Sequence, residues 1–148
     1  MAKKHILQHE YQHGFKAIGI TSAQKDYRMC WLLNNHLGFD MKRIQDFCIT
    51  PPGGDAEQCF SVYQHDEPSL FLHVNLLANK NQESLLLVQF KNIDYLLLFK
   101  QPGDQIRLND LVKSIRGIPQ VQAAFLLSGL SDKKTTMFFF DFEMFLSQ

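Results

Sequence analysis

Histidines recur at every fourth position near the start of the chain, a spacing at which imidazoles could bind a metal ion. His5, His9 and His13 fall on one face of either a helix or a strand, with Glu10 beside them. On a strand, His5 and His9 lie about 13 Å apart, too far for one ion bound at about 2 Å. The segment from His5 to His9 is typical of a weak strand, and Gly14 disfavours a helix. We therefore predict no native metal at these histidines.

Three cysteines could supply a nucleophile or a disulfide. A catalytic thiol needs a lowered pKa and an oriented base, whereas Cys30 falls within a predicted amphipathic helix as a small buried side chain. Cys48 and Cys59 flank the Pro-Gly turn at residues 51–54 and could approach each other across a hairpin, which would allow a redox-sensitive pair. An odd number without a CxxC pair indicates neither a disulfide framework nor a four-ligand zinc site, so reduced thiols are the simplest expectation.

The sequence carries no recognised nucleotide or hydrolase motif. Gly53-Gly54 follows two prolines without the spacing of either common phosphate-binding loop, so it is typical of a simple chain reversal. Neither a GxSxG nor an HExxH motif is present. We therefore predict no catalytic residues and no cofactor, and favour a protein that is not an enzyme.

One group of polar and aromatic side chains could form a ligand site. Asp26, Tyr27 and Arg28 open the predicted first helix, while Asp94 and Tyr95 open the predicted central strand. An acidic residue in the first turn of a helix is favourable without any function, and a buried tyrosine usually finds a partner for its hydroxyl. A structural pair between Asp94 and a base such as Arg28 is therefore favoured, and ligand binding is the alternative. The full cluster comprises Asp26, Tyr27, Arg28, Trp31, Asp94 and Tyr95.

Two helices are predicted among the elements that would position these residues. The first runs from about residue 22 to residue 37, because Thr21 and Gln24 have the spacing of a capping box and Gly38 ends the helical pattern. The second precedes Gly117 and carries one apolar stripe. That stripe comprises Leu108, Leu111, Val112 and Ile115.

Between these helices the apolar period changes to two, which indicates strands joined by short turns and therefore paired antiparallel. Residues 85–90 and 94–99 are apolar nearly throughout, as expected of strands covered on both faces, although periodicity alone does not distinguish them from a buried helix; the second is predicted to be the central strand. Beyond the second helix, residues 121–127 indicate a further strand. The alternating residues are Phe47 and Ile49, Phe60 and Val62, and Leu70, Leu72, Val74 and Leu76. The sequence thus predicts an α+β domain with a mainly antiparallel sheet of five to seven strands and two helices on one face.

The tail is the part of the chain richest in phenylalanine. Apolar side chains alternate there with Phe139, Asp141 and Glu143, so we predict a last strand rather than a helix. The apolar face of such a strand would have to be shielded from water by other side chains, which indicates an interface with another chain. That face comprises Phe138, Phe140, Phe142 and Met144.

The charge balance excludes partners that are recruited by bulk charge. The chain of 148 residues has 15 basic and 15 acidic side chains, whereas nucleic acids and anionic membranes are usually met by a basic excess. We expect no nucleic acid and no membrane as partners. The length is that of one domain, covering residues 1–148, and no secretory signal or membrane span is indicated, so the expected location is cytoplasmic.

Residues 87–97, LVQFKNIDYLL, resemble the signature segment of the bacterial IPExxxVDY family. Residues 93–95 keep the second half of that motif conservatively, while residues 87–89 replace its Ile, Pro and Glu. Residues 19–22, 25–34 and 115–124 are also similar to the family. The family consists of small bacterial proteins of uncharacterised function, so the resemblance implies a relationship and no reaction.

Two classes of function remain open. The favoured one is a non-enzymatic protein-interaction or structural domain that acts as a homodimer through a sheet edge or the Phe-rich tail. The alternative is a small-molecule-binding or catalytic domain, with a pocket between the first helix and the sheet. The side chains expected to line that pocket are Tyr27, Arg28, Trp31, Asp94 and Tyr95.

Overall fold

The computed structural model describes residues 12–50, 53–54 and 56–148, in which three helices pack on a six-stranded antiparallel sheet. The predicted α+β class and antiparallel sheet are confirmed. The weak strand predicted at His5 to His9 lies outside the described residues. The elements are β1 (Phe15–Thr21), α1 (Asp26–Leu37), β2 (Lys42–Arg43), β3 (Phe47–Ile49), β4 (Gln58–Phe60), β5 (Val62–Glu67), β6 (Leu72–Ala78), β7 (Tyr95–Lys100), α2 (Leu108–Arg116), β8 (Ala123–Leu126) and α3 (Lys133–Leu146).

The large sheet has the strand order β2-β5-β6-β7-β1-β8, while β3 and β4 form a separate hairpin. Strand β7 lies in the interior, between β6 and β1, as predicted. Its residue Leu97 is opposite Leu76 on one neighbour and Ile18 on the other. Five successive residues of this strand, 95–99, are buried, which is what cover on both faces requires.

A hydrophobic core lies on each face of the sheet, because successive side chains of a strand point to opposite sides. Leu97 and Phe99 of β7 belong to the core beneath α1 and α2, so the two predicted helices do share one face. Leu96 and Leu98 belong to the opposite core, which α3 covers with Phe139 and other aromatic residues. Helix α3 thus forms a third layer on the second face of the sheet, and this layer was not predicted from the sequence.

Helix α1 begins at Asp26, four residues later than the sequence predicts. Thr21 is instead the last residue of β1, and its hydroxyl donates a hydrogen bond to the carbonyl of Asn92 at 2.6 Å, so the predicted capping box is wrong. The end of the helix is predicted correctly: Gly38 has a φ of +74°, and its N–H donates to the carbonyl of Asn34. Glycine adopts this left-handed conformation without steric cost.

The tail forms helix α3, so the predicted last strand is wrong. Its buried residues Thr135, Phe139 and Phe142 are spaced by four and three positions, which is the helical period. The alternating set is consequently split: Phe142 is fully buried and Phe138 half-buried, whereas Phe140 and Met144 are 42% and 56% exposed. These four residues do not form one common face.

Residues 85–90 form a loop, so the strand predicted there is also wrong. A single 3-10 turn at Val88–Phe90 is its only helical part, and Leu85 makes one isolated bridge to Lys80. The side chain of Asn79 binds the backbone of this loop at Leu87 and Phe90, so those groups are not available to a sheet.

Cys48 and Cys59 form a disulfide across the hairpin of β3 and β4. The predicted approach of the two cysteines is confirmed, while the expectation of reduced thiols is wrong for this pair. Cys30 is a free, buried thiol, as predicted. No helix within the described residues has both the length and the apolar character needed to cross a membrane.

Candidate functional site

Two residues of the predicted cluster have structural roles at the start of β7. The Asp94 carboxylate accepts a hydrogen bond from the N–H of Ser22 at 2.9 Å and lies 3.2 Å from the Lys80 ammonium. The hydroxyl of buried Tyr95 donates to the carbonyl of Gln24. The contacts of Asp94 with Ser22 and of Tyr95 with Gln24 join the start of β7 to the connection between β1 and α1. The ionic partner of Asp94 is therefore Lys80 and not Arg28.

The other four residues of the cluster lie on α1. Asp26 is 3.9 Å from the guanidinium of Arg43. The guanidinium of Arg28 lies over the Trp31 ring, 4.7 Å from its centroid, and both Tyr27 and Trp31 are more than half exposed. A cation stacked on an exposed ring contributes about 0.5–1 kcal/mol to stability, so this contact does not require a ligand.

The interior between α1 and the sheet is filled by core side chains. Met29 and Leu33 are fully buried there and belong to the core that the helix shares with the sheet. Burial raises the pKa of the Cys30 thiol to about 11 and that of the Tyr63 hydroxyl to about 12, so both are neutral at physiological pH. Cys30 is thus not an activated nucleophile.

A polar cleft of about 380 Å³ lies on the opposite face of the sheet, where the C-terminal end of α3 stops short of β5 and β6. Its floor comes from alternate positions on these two strands. Because Gln64 is opposite Asn75 and Asp66 is opposite His73, the antiparallel register brings all four side chains together on one face.

Hydrogen bonds connect the four floor residues in one chain. His73 Nδ1 lies 2.8 Å from Asp66 Oδ1, and Gln64 Nε2 donates to Asp66 Oδ2, also at 2.8 Å. Asn75 Nδ2 donates to Gln64 Oε1 at 3.3 Å. A carboxylate can only accept, so Nδ1 of His73 carries a proton and Nε2 is the ring nitrogen left to accept a hydrogen bond. These contacts hold the floor in one arrangement.

The rim of the cleft combines an ion pair, an amide and apolar groups. Lys100 Nζ lies 3.3 Å from Glu143 Oε1 of α3, and Leu146 follows on the same helix. Phe71 and Gln101 also line the cleft, with φ values of +50° and +46°. Within the described residues they are the only ones other than glycine with positive φ. Backbone strain of this kind is found preferentially at ligand sites.

The cleft is suited to binding by hydrogen bonds. Within the described residues, the one group of three or more metal-ligating side chains whose ligand atoms lie within 4.8 Å of each other is Cys48, Glu57 and Cys59, on the β3–β4 hairpin. In the cleft, the Lys100 ammonium is paired with Glu143, and the Asp66 carboxylate accepts hydrogen bonds from His73 and Gln64.

None of the floor residues is among the sequence-predicted site residues. The signal that could have identified them is the polar face of β6, where His73 and Asn75 alternate with the buried Leu72, Val74 and Leu76. Polar side chains on a strand whose neighbours are buried indicate a face that is only partly covered.

No protein-family model, curated protein or solved structure matches this chain. The resemblance to the IPExxxVDY family therefore stays a prediction.

Proposed function

We propose that this protein binds a small, neutral, polyhydroxylated molecule of about monosaccharide size in the polar cleft. The observation that carries the proposal is the hydrogen-bonded floor of Gln64, Asp66, His73 and Asn75, in which Asp66 and His73 are exposed to the cleft, Gln64 is half-buried and Asn75 is buried beneath them. A volume of about 380 Å³ is at the lower end of the range found for small-molecule sites.

The chemistry of the floor supports a neutral ligand with several hydroxyl groups. Amides present a donor and an acceptor side by side, and each hydroxyl of a polyol is also both donor and acceptor. The Asp66 carboxylate already accepts hydrogen bonds from Gln64 and His73, and Lys100 is paired with Glu143, so an ion would gain little net attraction. Phe71, which is 74% exposed at the rim, offers an apolar face for the C–H groups of a sugar ring.

The test is a binding screen with three sets of ligands: neutral monosaccharides and polyols, sugar phosphates, and amino acids. We expect neutral compounds to shift the amide NMR signals of β5 and β6. Asp66→Asn and His73→Ala, at the two exposed floor residues, should each weaken binding by roughly tenfold, the loss of one ligand hydrogen bond. Asp110→Asn, an exposed carboxylate on α2, is the matched control and should bind as the wild type does.

Two outcomes would refute this proposal. Binding only by anionic compounds would exclude the neutral class. Equal affinity of wild type, Asp66→Asn and His73→Ala, or shifts confined to other strands, would remove the cleft as the site.

We propose homodimerisation through α3 as a second function, because this helix is apolar on its outward side as well. Met137 and Met144, two helical turns apart, are 54% and 56% exposed, and Phe140 lies between them. Lys133 and Lys134 are exposed at the start of the helix. In an antiparallel pair of copies these lysines would lie near the negative, C-terminal end of the partner's α3, which favours a second copy as the occupant.

Sedimentation equilibrium of the full chain tests this second proposal. Deleting α3 is not a usable test, because Phe139 and Phe142 belong to the core. We expect a dimer for the wild type, a monomer for the double variant Met137→Lys, Met144→Lys, and a dimer for the control Val88→Lys, an exposed site in the loop before β7. A monomeric wild type, or a dimer that survives the double variant, would contradict it.

A further inference from the structure

We propose that the β3–β4 hairpin, once its disulfide is reduced, is a binding site for a thiophilic divalent cation, Zn²⁺. The ligands are the thiolates of Cys48 and Cys59 and the carboxylate of Glu57, with water completing a tetrahedral shell. This proposal is independent of the polar cleft and of dimerisation. Two soft thiolates with one carboxylate match zinc better than magnesium or calcium.

The hairpin brings the three ligand atoms together, all within 4.8 Å of one another. Cys48 and Cys59 are directly opposite in the register with Cα atoms 4.1 Å apart, so their side chains leave the same face of the hairpin. Glu57 Oε1 lies 3.7 Å from Cys59 Sγ. A tetrahedral zinc ion with bonds of about 2.3 Å to sulfur and 2.0–2.2 Å to oxygen separates such S and O ligands by about 3.5 Å. The carboxylate thus already has the spacing that the ion requires.

The site faces solvent, which gives both a reductant and the ion access. Because side chains alternate across a strand, the cysteines lie opposite in direction to Phe47 and Phe60, which are buried in the core. Cys48 and Glu57 are exposed, and Cys59 is half-buried. A reducing compartment such as the cytoplasm, the location proposed for this chain from its sequence, would supply the dithiol form.

The hairpin has anchors that do not depend on the disulfide. Phe47 and Phe60 pack into the core beneath α3. Asn81 Nδ2 donates hydrogen bonds to the Cys59 carbonyl and to Gln58 Oε1, both at 3.2 Å. Opening the S–S bond therefore leaves the two strands in register with their side chains on the same face.

The chemistry balances in two steps. A phosphine reductant and one water molecule convert the disulfide into two thiols while the phosphine becomes its oxide. Zinc then binds the two sulfurs as thiolates and releases two protons to solvent. The oxidised form offers only one ionised ligand, the carboxylate of Glu57, and should not retain the ion.

The test measures zinc affinity of the full chain, before and after phosphine reduction, by competition with a chromophoric chelator. We expect one zinc per reduced chain and none per oxidised chain. Cadmium in place of zinc should produce an ultraviolet sulfur-to-metal charge-transfer band. Cys48→Ser and Cys59→Ser should each abolish the band. Glu57→Gln should weaken binding by roughly tenfold or more, since even groups outside the ligand shell contribute that much.

Two control variants test whether zinc binding is specific to the hairpin. Cys30→Ala removes the buried free thiol, and Glu83→Gln removes an exposed carboxylate outside the hairpin; both should bind as the wild type does. Zinc uptake by the reduced wild type no greater than that of Cys48→Ser would overturn the proposal. A Glu57→Gln affinity equal to that of the wild type would overturn the three-ligand site. The cadmium band is read on the wild type, so the test stands even if a serine variant fails to fold.

Discussion

At the scale of single residues, Asn79 is a polar side chain of the core that organises a loop. Its side chain is fully buried at the end of β6. Its Nδ2 donates to the carbonyls of Phe90 and Ile93 at 3.0 and 2.9 Å, and its Oδ1 accepts from the N–H of Leu87 at 2.9 Å. One amide therefore satisfies three backbone groups of the loop that leads into β7.

Asn79→Ala is expected to lower the free energy of unfolding by about 3 kcal/mol, because three backbone groups lose their partner in a largely buried site. Urea denaturation followed by circular dichroism measures this change. Asn109→Ala, at an exposed position of α2, is the control and should alter stability by no more than about 0.5 kcal/mol. A loss below about 1 kcal/mol for Asn79→Ala would show that water replaces the amide.

The sequence predicted the residues at the start of β7 better than it predicted the cleft. Tyr95 stands at the start of an apolar run, where the sequence predicted a buried ring with a partner for its hydroxyl, and the structure has both. Asp66 and His73 are seven positions apart and meet only because a 3-10 turn at Pro68–Leu70 sets the register of β5 and β6. A register of this kind depends on turn geometry, which residue types alone do not determine.

At the scale of elements, α3 shows why alternation in a dense aromatic run is ambiguous. Residues 138–146 contain apolar side chains at both strand and helix spacings, so either period can be found. The deciding fact is tertiary: Leu96 and Leu98 of β7 need cover on the second face of the sheet, and a helix supplies it with Phe139 and Phe142. The predicted burial of β7 on both faces already implied a covering layer.

The variants Phe142→Ala and Met144→Ala test whether the tail is a helix or a strand. As a strand, the tail would place both residues on one face and give similar losses. As a helix, it buries Phe142 and exposes Met144, so we expect losses of about 3–5 kcal/mol for the first and no more than about 0.5 kcal/mol for the second. Chemical denaturation of the two variants measures both values. Similar losses would contradict the helix.

At the scale of the whole molecule, the fold class followed from the sequence because β5, β6 and β7 follow one another along the chain and pair antiparallel with their neighbours. The number of layers did not, since it depends on how α3 returns to the sheet. On the α1 side of the sheet, the buried groups Tyr63, Tyr95 and Cys30 lie close to the negative charge of Asp26. Burial is the main cause that raises the pKa of all three groups, and this charge adds to it.

Stability is therefore expected to fall in alkaline solution. A group whose pKa is raised in the folded state keeps its proton there, while the unfolded chain releases it, so the free energy of unfolding decreases as pH rises. Cys30, with a pKa raised from 9.0 to about 11, acts between those values, and Tyr63, raised from 10.0 to about 12, acts above pH 10. Below about pH 8 these groups are protonated in both states and contribute no pH dependence.

Tyr63→Phe isolates one part of this dependence. It removes the phenol that titrates above pH 10, so the slope of the free energy of unfolding against pH should become shallower there by at most about 1.4 kcal/mol per pH unit. Tyr27→Phe removes a phenol that is 64% exposed and should leave the wild-type slope unchanged. Urea denaturation from about pH 7 to about pH 11 gives the slopes. If Tyr27→Phe and Tyr63→Phe flattened the curve equally, burial beneath α1 would not be the cause.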